Sequence, residues 1–196
     1  MTKKEVILQA ATHLFSHKGY KDTAMGELTK MTGAAEGTIF YHFKSKQGLF
    51  LAILSSLKEG ILSEFERYRN TESEKTGLDM VEESISFYLH MAKSREDLFA
   101  ILHQRYPYEL AENNLECRDH LEAVYNCFVD IFETAIVTGQ RDGSITGDIA
   151  ARRLALIVFS MVDSMVRFRM NNLYNVGTLY KDLIGACRRM LASGQR

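Results

Sequence analysis

Apolar side chains recur at intervals of three and four residues along most of the chain, and this spacing restricts it to helical folds. The pattern is clearest where Leu49, Ile53, Leu57, Ile61 and Phe65 follow one another at every fourth position. Such spacing places side chains on one face of an α-helix. No segment shows the strict polar and apolar alternation of a half-buried strand, and the sequence contains one proline. A chain of 196 residues can bury a core, so we expect an all-α protein.

The N-terminal region contains start and stop signals for short helices. Thr2 and Glu5 have the spacing of a capping box, in which each side chain satisfies a backbone amide of the first turn. Gly19 is suited to end this helix, because glycine adopts cap conformations at low cost. Thr23 is a suitable N-cap for a second helix, and Gly33 makes the turn that follows it.

The periodic segments that follow predict the larger helices. A third helix is predicted over about 35–43 and a fourth, linking helix over about 46–69. The polar segment 70–77 is expected to be a loop. Two long periodic segments, at about 118–138 and 148–170, predict a pair of long helices nearer the C terminus.

The formal net charge of −1 conceals an uneven distribution of charge. Residues 1–50 contain seven lysines and four acidic residues, so 7 − 4 gives +3. Residues 51–196 contain the other 17 basic and 21 acidic residues, so 17 − 21 gives −4. Contacts with phosphate require local positive charge. The distribution favours a nucleic-acid-binding head on a body that does not bind nucleic acid, although an excess of three charges can also arise by chance.

A set of residues in fixed register runs through the N-terminal region: Ile7, Leu8, Ala10, Ala11, Leu14, Phe15, Gly19, Tyr20, Thr23, Gly33, Gly37, Thr38, His42, Phe43, Ser45, Lys46 and Leu49. Through these positions, residues 1–57 resemble the DNA-binding head of the tetracycline-repressor (TetR) family of bacterial transcription regulators. The resemblance implies a three-helix DNA-binding domain over residues 1–48, with a helix-turn-helix at about 24–43 and its recognition helix at about 35–43. It also implies a larger helical ligand-binding and dimerisation domain over residues 49–196.

The residue types of the third helix suit contact with DNA. Gly37 has no side chain to hold the helix away from base edges, although a glycine can also be merely tolerated in a helix at a cost of about 1 kcal/mol. Tyr41 and His42 can bond phosphate oxygens. Lys46 suits a phosphate contact at the first turn of the next helix, with a solvated lysine as the alternative. With the positions added by the resemblance, the predicted DNA-binding residues are Thr23 (cap and phosphate), Ala35, Glu36, Gly37, Thr38 (base edge), Tyr41, His42, Lys44 and Lys46.

Three positions depart from the family pattern and leave the operator sequence open. Ala35 stands where a serine often caps the recognition helix, so that cap is lost at a cost of about 1 kcal/mol. Phe40 replaces a frequent tyrosine and is expected to be buried with Phe43. Glu36 replaces a frequent lysine, and its carboxylate either accepts from cytosine N4 or pairs favourably with the helix dipole. The dipole account is preferred.

The two long C-terminal helices are similar to the pair through which this family dimerises. The second carries the sequence MVDSMV, and the resemblance implies a homodimer in which the helices form a four-helix bundle. Asp163 lies in an apolar run, where an unpaired carboxylate is costly. We expect it to pair with Arg167 or to make a dimer contact, and recognition of a cationic ligand is the alternative. The predicted dimer-interface residues are Phe132, Ile136, Leu156, Ser160, Asp163, Ser164 and Arg167.

The larger domain is rich in aromatic and methionine side chains, with a few hydroxyl and imidazole groups among them. Most of these side chains must form ordinary core. Soft, bulky side chains also suit a cavity for an apolar or aromatic small molecule, and the family resemblance implies such an effector. The predicted ligand-binding residues are Tyr88, Met91, Phe99, His103, Tyr106, Tyr125, Phe128, Phe132 and Phe159.

Motifs for catalysis and for metal binding are not found. The sequence has no GxSxG, no GxGxxG and no phosphate-binding loop. His13 and His17 have the spacing of two metal ligands on one helix, but we find no nearby carboxylate or cysteine to complete a set. Cys117, Cys127 and Cys187 are interpreted as small buried apolar residues. We therefore predict no enzyme activity, no cofactor and no metal.

The features of the sequence together predict the location of the protein in the cell and its function. It has no apolar signal region and no uncharged run long enough to span a bilayer, so we expect a soluble cytoplasmic protein without a membrane partner. We expect a homodimeric repressor that binds a palindromic operator in double-stranded DNA and releases it when a small-molecule effector binds. The alternative is a helical ligand-binding or scaffold protein whose head binds a protein partner.

Overall fold

The computed structural model describes residues 1–69 and 74–193, and the fold is helical throughout these ranges. The described part contains no strand, and it has an isolated bridge between Ile145 and Ala192. None of its helices is both long enough and apolar enough to cross a membrane. The prediction of an all-α fold is confirmed. The helices are α1 (Lys3–Lys18), α2 (Met25–Thr32), α3 (Glu36–Phe43), α4 (Lys46–Tyr68), α5 (Gly77–Ser94), α6 (Glu96–His103), α7 (Arg105–Asn113), α8 (Leu115–Asp142), α9 (Ala151–Met170) and α10 (Tyr180–Leu191), with a 3-10 helix at Val176–Leu179.

The larger helices lie close to their predicted positions. The third and fourth helices agree with α3 and α4, and the two long helices agree with α8 and α9. Helix α8 extends beyond the predicted segment at both ends. Residues 70–73 of the predicted loop lie outside the described residues.

The ends of α1 follow the predicted capping pattern. The backbone amide of Glu5 donates to the Thr2 hydroxyl over 3.2 Å, and the amide of Thr2 donates to the Glu5 carboxylate over 2.9 Å. Gly19 follows the helix with a φ of 90°, and its amide donates to the carbonyl of Phe15. This conformation favours glycine, so the predicted capping box and helix end are both confirmed.

The start of α2 differs from the prediction. Ala24 is the N-cap, and its amide donates over 2.9 Å to the carboxylate of Glu27. Thr23 is buried, and its hydroxyl donates over 2.8 Å to the carbonyl of Gly19. The prediction that Thr23 caps α2 is wrong, because its side chain turns inward to satisfy a carbonyl at the end of α1.

The described residues form two compact units. Unit 1 contains Met1–Gly60 and Arg95–Val124, and unit 2 contains the described residues within Ile61–Ser94 and Tyr125–Arg196. The first unit therefore joins the N-terminal helices to α6, α7 and the first part of α8. The functional division between residues 48 and 49 stays a prediction.

In unit 1, α6 and α7 pack on the N-terminal helices through polar and aromatic contacts. The Gln104 side-chain amide donates over 3.0 Å to each of the carbonyls of Phe15 and Ser16, at the end of α1. Tyr106 stacks on Tyr20 with ring centroids 3.8 Å apart. The Gln104 amide thus adds hydrogen bonds to carbonyls in the last turn of α1, and it bonds the end of α1 to the segment that follows α6.

Unit 2 contains a close crossing of α5 and α8. A Cβ added to Gly77 would lie 1.9 Å from the backbone nitrogen of Gly139, so only glycine fits there. The amide of Gly77 donates over 2.7 Å to the carboxylate of Asp142. Burial and hydrogen bonds at this crossing hold α5 against the end of α8.

Candidate DNA-binding face and ligand-binding core

Helix α3 is anchored by one face and exposes the other. Ile39 is fully buried and Phe43 nearly so, and their four-residue spacing places both on the inner face. Tyr41, on the opposite face, is 74 % exposed, and His42, at the side of the helix, is also exposed. The helix is therefore held firmly while its polar and aromatic groups face solvent, as contact with DNA requires.

The first turn of α3 is open. Ala35 is the N-cap and makes no side-chain hydrogen bond, which agrees with the predicted loss of a cap. Glu36 and Gly37 are exposed, and Thr38 is half-buried. A Cβ added to Gly37 would meet no atom within 4 Å, so packing within the chain does not require glycine there.

The junction between α3 and α4 presents two lysines. Lys44 ends α3 with a φ of 64°, and its amide donates to the carbonyl of Phe40 over 2.8 Å. The Lys46 ammonium lies 4.5 Å from the centre of the Tyr20 ring and donates to the carbonyl of Lys21 over 3.3 Å. Partial burial lowers the pKa of Lys46, while nearby carboxylates oppose that change. Lys46 is thus held by neighbouring groups and is not simply solvated.

Two predictions about this face are corrected. Thr23 is only 2 % exposed, and its hydroxyl is used within the chain, so it positions α2 and is not a surface contact for phosphate. Phe40 is 38 % exposed, so the prediction that it is buried with Phe43 is wrong. Phe40 directly follows Ile39 and so lies about 100° round the helix from it, at the edge of the inner face.

The predicted ligand-binding residues are divided between the two units. Phe99, His103 and Tyr106 belong to unit 1. Phe99 is fully buried there, and Tyr106 stacks on Tyr20 with its pKa raised, mainly by burial. These three side chains belong to the packing of α6 and α7, which the helical pattern alone could not assign. The others lie in unit 2: Tyr88, Met91, Tyr125, Phe128, Phe132 and Phe159.

The aromatic side chains of unit 2 form a contiguous cluster. The Tyr88 ring lies 4.8 Å from that of Phe128 and 5.4 Å from that of Phe159, measured between centroids and with the planes nearly perpendicular. The Tyr88 hydroxyl donates over 2.5 Å to the carboxylate of Asp163. A phenol from α5 is therefore one partner of Asp163. The expected pairing with Arg167 or with a second chain stays a prediction. The cluster places one polar pair among apolar rings.

One face of α9 is exposed and apolar. Leu156 and Ile157 are each 46 % exposed and Phe168 is 37 % exposed. Of the predicted dimer residues, Ser160, Ser164 and Arg167 are exposed and Asp163 is half-buried. Phe132 and Ile136 are almost fully buried within unit 2, so they offer no surface to a second chain and are removed from the predicted interface. Ile157 and Phe168 lie seven and four residues from Ser164, so helical spacing places both on the same face of α9 as Ser164.

The structure supplies a carboxylate beside His13 and His17. Asp97, from α6, lies within 3.5 Å of both imidazoles. The interpretation that no carboxylate completes this set was wrong, because the residue that does so is 84 positions from His13 in the sequence.

The cysteines lie where the sequence interpretation placed them. Cys117, Cys127 and Cys187 are all buried thiols, and none of them forms a disulfide within the described residues. Burial raises the pKa of the Cys117 and Cys187 thiols. A raised pKa reduces the thiolate fraction, so these groups are poor nucleophiles at neutral pH.

Comparison with protein families accounts for nearly the whole chain. Residues 7–53 match the family described as "Bacterial regulatory proteins, tetR family". Residues 60–184 match the family described as "YsiA-like protein, C-terminal region". The chain belongs to the tetR family of bacterial regulatory proteins.

Individual relatives extend over most of this tetR-family chain. It is 26 % identical over 161 residues to the "Fatty acid metabolism regulator protein" of Bacillus subtilis. The aligned region covers 82 % of this chain and 79 % of the relative. A solved structure of a FadR regulator from Bacillus subtilis in complex with stearoyl-CoA has a TM-score of 0.78 at 21 % identity, and covers 95 % of this chain and 98 % of that one. A solved structure of a regulator from Saccharomonospora viridis in complex with choline has a TM-score of 0.84 at 18 % identity. The match covers 97 % of this chain and 98 % of that one.

Family membership gives the protein its general function. It is a DNA-binding transcriptional regulator with an N-terminal helix-turn-helix domain and a helical C-terminal domain. Its relatives are transcriptional regulators, which are not enzymes. This tetR-family protein has two features that suit such a function. One is the exposed face of α3, and the other is the aromatic cluster of unit 2.

Proposed function

We propose that this regulator is a homodimer that binds a palindromic operator through paired α3 helices and leaves it when a small molecule binds unit 2. The observation that carries the proposal is the form of α3. Its inner face is anchored by Ile39 and Phe43, while Gly37, Tyr41 and His42 face outward. A firmly held helix with an open first turn can enter a major groove.

The exposed residues of α3 take different roles in this proposal. Gly37 lets the backbone approach the DNA, with Thr38 next to it at the base edges. Tyr41, His42 and Lys44 bond phosphates and set the register of the helix. Ala35 and Glu36 lie at the start of the helix, where the Glu36 carboxylate pairs with the helix dipole. Lys46, in the first turn of α4, adds a phosphate contact.

The exposed apolar face of α9 supports the proposed dimer. Leu156, Ile157 and Phe168 would be buried by a second copy of the same helix, with Ser160 and Ser164 allowing close approach. Palindromic DNA follows from a two-fold dimer, because two identical heads read two inverted half-sites. We expect the half-sites to be about one helical turn apart, near 34–36 Å, or a related spacing.

For the effector we propose an apolar small molecule that contacts the aromatic cluster of unit 2. Tyr88, Phe128 and Phe159 offer large apolar rings, and the Tyr88–Asp163 pair offers a hydroxyl and a carboxylate. The relative complexed with stearoyl-CoA supports a long acyl chain as the first candidate. The relative complexed with choline supports a cation, for which the Asp163 carboxylate is the natural partner. We favour the apolar ligand because the rings outnumber the charged groups.

Release of the operator requires the ligand to distinguish two states of the dimer. A ligand that bound the DNA-competent and the DNA-incompetent dimers with equal affinity would leave the equilibrium between them unchanged. We propose that the ligand binds the dimer in which the two α3 helices have the wrong spacing for consecutive major grooves, with α4 as the lever. We also propose that the protein acts in the cytoplasm, where its DNA is, and without catalysis.

A mobility-shift experiment on the DNA upstream of the regulator's own gene tests this function. We expect the protein to shift this DNA. The logarithm of its binding constant should fall linearly with the logarithm of the salt concentration. In Lys46→Gln the slope should decrease by about one, because one phosphate contact is lost. Lys58→Gln, an exposed lysine of α4 outside the proposed face, is the matched control and should keep the slope. Absence of a shift at low salt, or a head that instead binds a protein independently of salt, would refute the proposal.

A further inference from the structure

Two imidazoles and a carboxylate from distant parts of the sequence converge in unit 1. His13 and His17 lie one turn apart on α1, with ring centroids 4.2 Å from each other. The Nδ1 atom of His13 is 3.2 Å from one oxygen of Asp97, and that of His17 is 3.5 Å from the other. We propose that these three side chains form a binding site for a divalent transition-metal ion, with Zn²⁺ as the best match.

The spacing of the ligand atoms fits such an ion. A tetrahedral Zn²⁺ with bonds of about 2.0–2.1 Å places neighbouring ligand atoms about 3.3–3.4 Å apart. The distances from the His13 and His17 nitrogens to the Asp97 carboxylate, 3.2 Å and 3.5 Å, are close to this value, but each joins a different oxygen. With one ligand atom taken from each residue, the three atoms all lie within 4.8 Å of one another. Imidazole nitrogen is a preferred ligand of Zn²⁺ and of neighbouring transition metals, whereas Mg²⁺ and Ca²⁺ prefer oxygen alone. Three protein ligands leave a position open for water.

The surroundings also suit a cation. The side chains of His13, His17 and Asp97 are 49 %, 63 % and 38 % exposed, so an ion can enter from solvent without rearrangement of the core. The two histidines lie near the C-terminal end of α1, where the helix dipole attracts positive charge. The Ser16 hydroxyl donates over 2.9 Å to the Asp97 carboxylate and orients it. Hydrogen bonds of this kind fix the direction of a metal ligand.

Metal binding here would link two segments that are far apart in sequence. Helix α1 packs in the same bundle as the recognition helix, and α6 reaches it from 84 residues further along the chain. Gln104 already bonds the carbonyls at the end of α1. An ion held by both helices would add a second link at the same junction and stabilise unit 1. The metal site stands independently of the proposed operator and effector.

Titration of the full chain with Co²⁺ and Zn²⁺ tests the site. The protein should be free of a polyhistidine tag and treated with a chelator, with Co²⁺ followed by its visible absorption and Zn²⁺ by calorimetry. We expect one ion per chain, release of protons on binding, and a higher melting temperature with metal. Asp97→Asn and His17→Gln should each weaken binding at least tenfold, since loss of an orienting group alone costs 10–100-fold.

His90→Gln is the matched control, because His90 is an exposed histidine on α5. It should leave the affinity for metal unchanged, and circular dichroism should show that all variants keep their helices. Three results would each overturn the proposal. The first is a wild type that binds Zn²⁺ no more tightly than the His13→Gln, His17→Gln double variant. The second is full affinity for metal in Asp97→Asn. The third is a thiolate band in the Co²⁺ spectrum, which would place the ion on a cysteine.

Discussion

Gly37 is a glycine that the folded chain does not need for its own packing. It lies in the first turn of α3 with space around it, whereas Gly77 is required by the close approach of Gly139. A glycine destabilises a helix relative to alanine, by up to about 1 kcal/mol in a helix interior. We therefore assign the benefit of Gly37 to the bound state, in which DNA backbone or base edges lie against the helix.

Replacement of Gly37 by alanine should separate stability from DNA binding. We expect Gly37→Ala to raise the free energy of unfolding by up to about 1 kcal/mol and to weaken operator binding by about tenfold or more. Urea unfolding and fluorescence anisotropy measure the two effects. Gly185→Ala in α10, where the added Cβ meets only the flexible Arg189 side chain, should stabilise without affecting DNA binding. Unchanged operator affinity in Gly37→Ala would show that the helix does not approach DNA at this position.

The joint between α1 and α2 depends on one buried hydroxyl. Thr23 donates to the carbonyl of Gly19, and both residues lie between the two helices. The sequence suggested a helix cap, because threonine is common at such positions and α2 begins close by. Local sequence could not show that Ala24 takes the cap position, with Glu27 bonding its amide.

Substitutions of Thr23 distinguish a structural role from contact with phosphate. Thr23→Val should lower the free energy of unfolding by about 1–3 kcal/mol, because the carbonyl of the half-buried Gly19 loses its donor. Thr23→Ser keeps the hydroxyl, so its free energy of unfolding should fall much less. At a temperature where each variant is fully folded, both should bind the operator with unchanged salt dependence. A slope reduced by about one in Thr23→Val would instead make Thr23 a phosphate contact.

Across the whole molecule, the sequence predicted the helices better than their contacts. Helical spacing identifies which residues share a face, as it did for Ile39 and Phe43, but not what covers that face. Phe132 was placed at a dimer surface and is buried within its own unit. Asp97 was not connected with His13, because nothing in local sequence reports a contact across 84 positions. The DNA-binding head was the most predictable part because its residues are close together in the sequence.

The assembly should depend on the exposed face of α9. The double variant Leu156→Glu, Ile157→Glu places two carboxylates in the proposed interface, and we expect a monomer in sedimentation equilibrium where the wild type is a dimer. Operator affinity should fall by at least 100-fold, because two linked heads bind far more tightly than one. Leu115→Glu is the control, since Leu115 is 74 % exposed and lies in unit 1. A wild-type protein that sediments as a monomer would exclude the proposed dimer.

The effector should act through the aromatic cluster of unit 2. We expect stearoyl-CoA to release the operator and choline to have no effect at the same concentration. Phe128→Leu should raise the concentration of stearoyl-CoA needed for half release by about tenfold, while leaving DNA affinity without ligand unchanged. Release by choline that is lost in Asp163→Asn would instead identify a cationic effector. Fluorescence anisotropy with labelled operator measures all three responses.

In the proposed complex, two α3 helices of one dimer read one stretch of duplex DNA. Hydroxyl-radical footprinting of the DNA upstream of the regulator's own gene should reveal both contacts. We expect two protected patches related by inverted symmetry, with centres about one helical turn or a related spacing apart, and loss of both patches in the Tyr41→Ala, His42→Ala double variant. A single patch, or protection that persists unchanged in this variant, would show that paired α3 helices do not read the DNA.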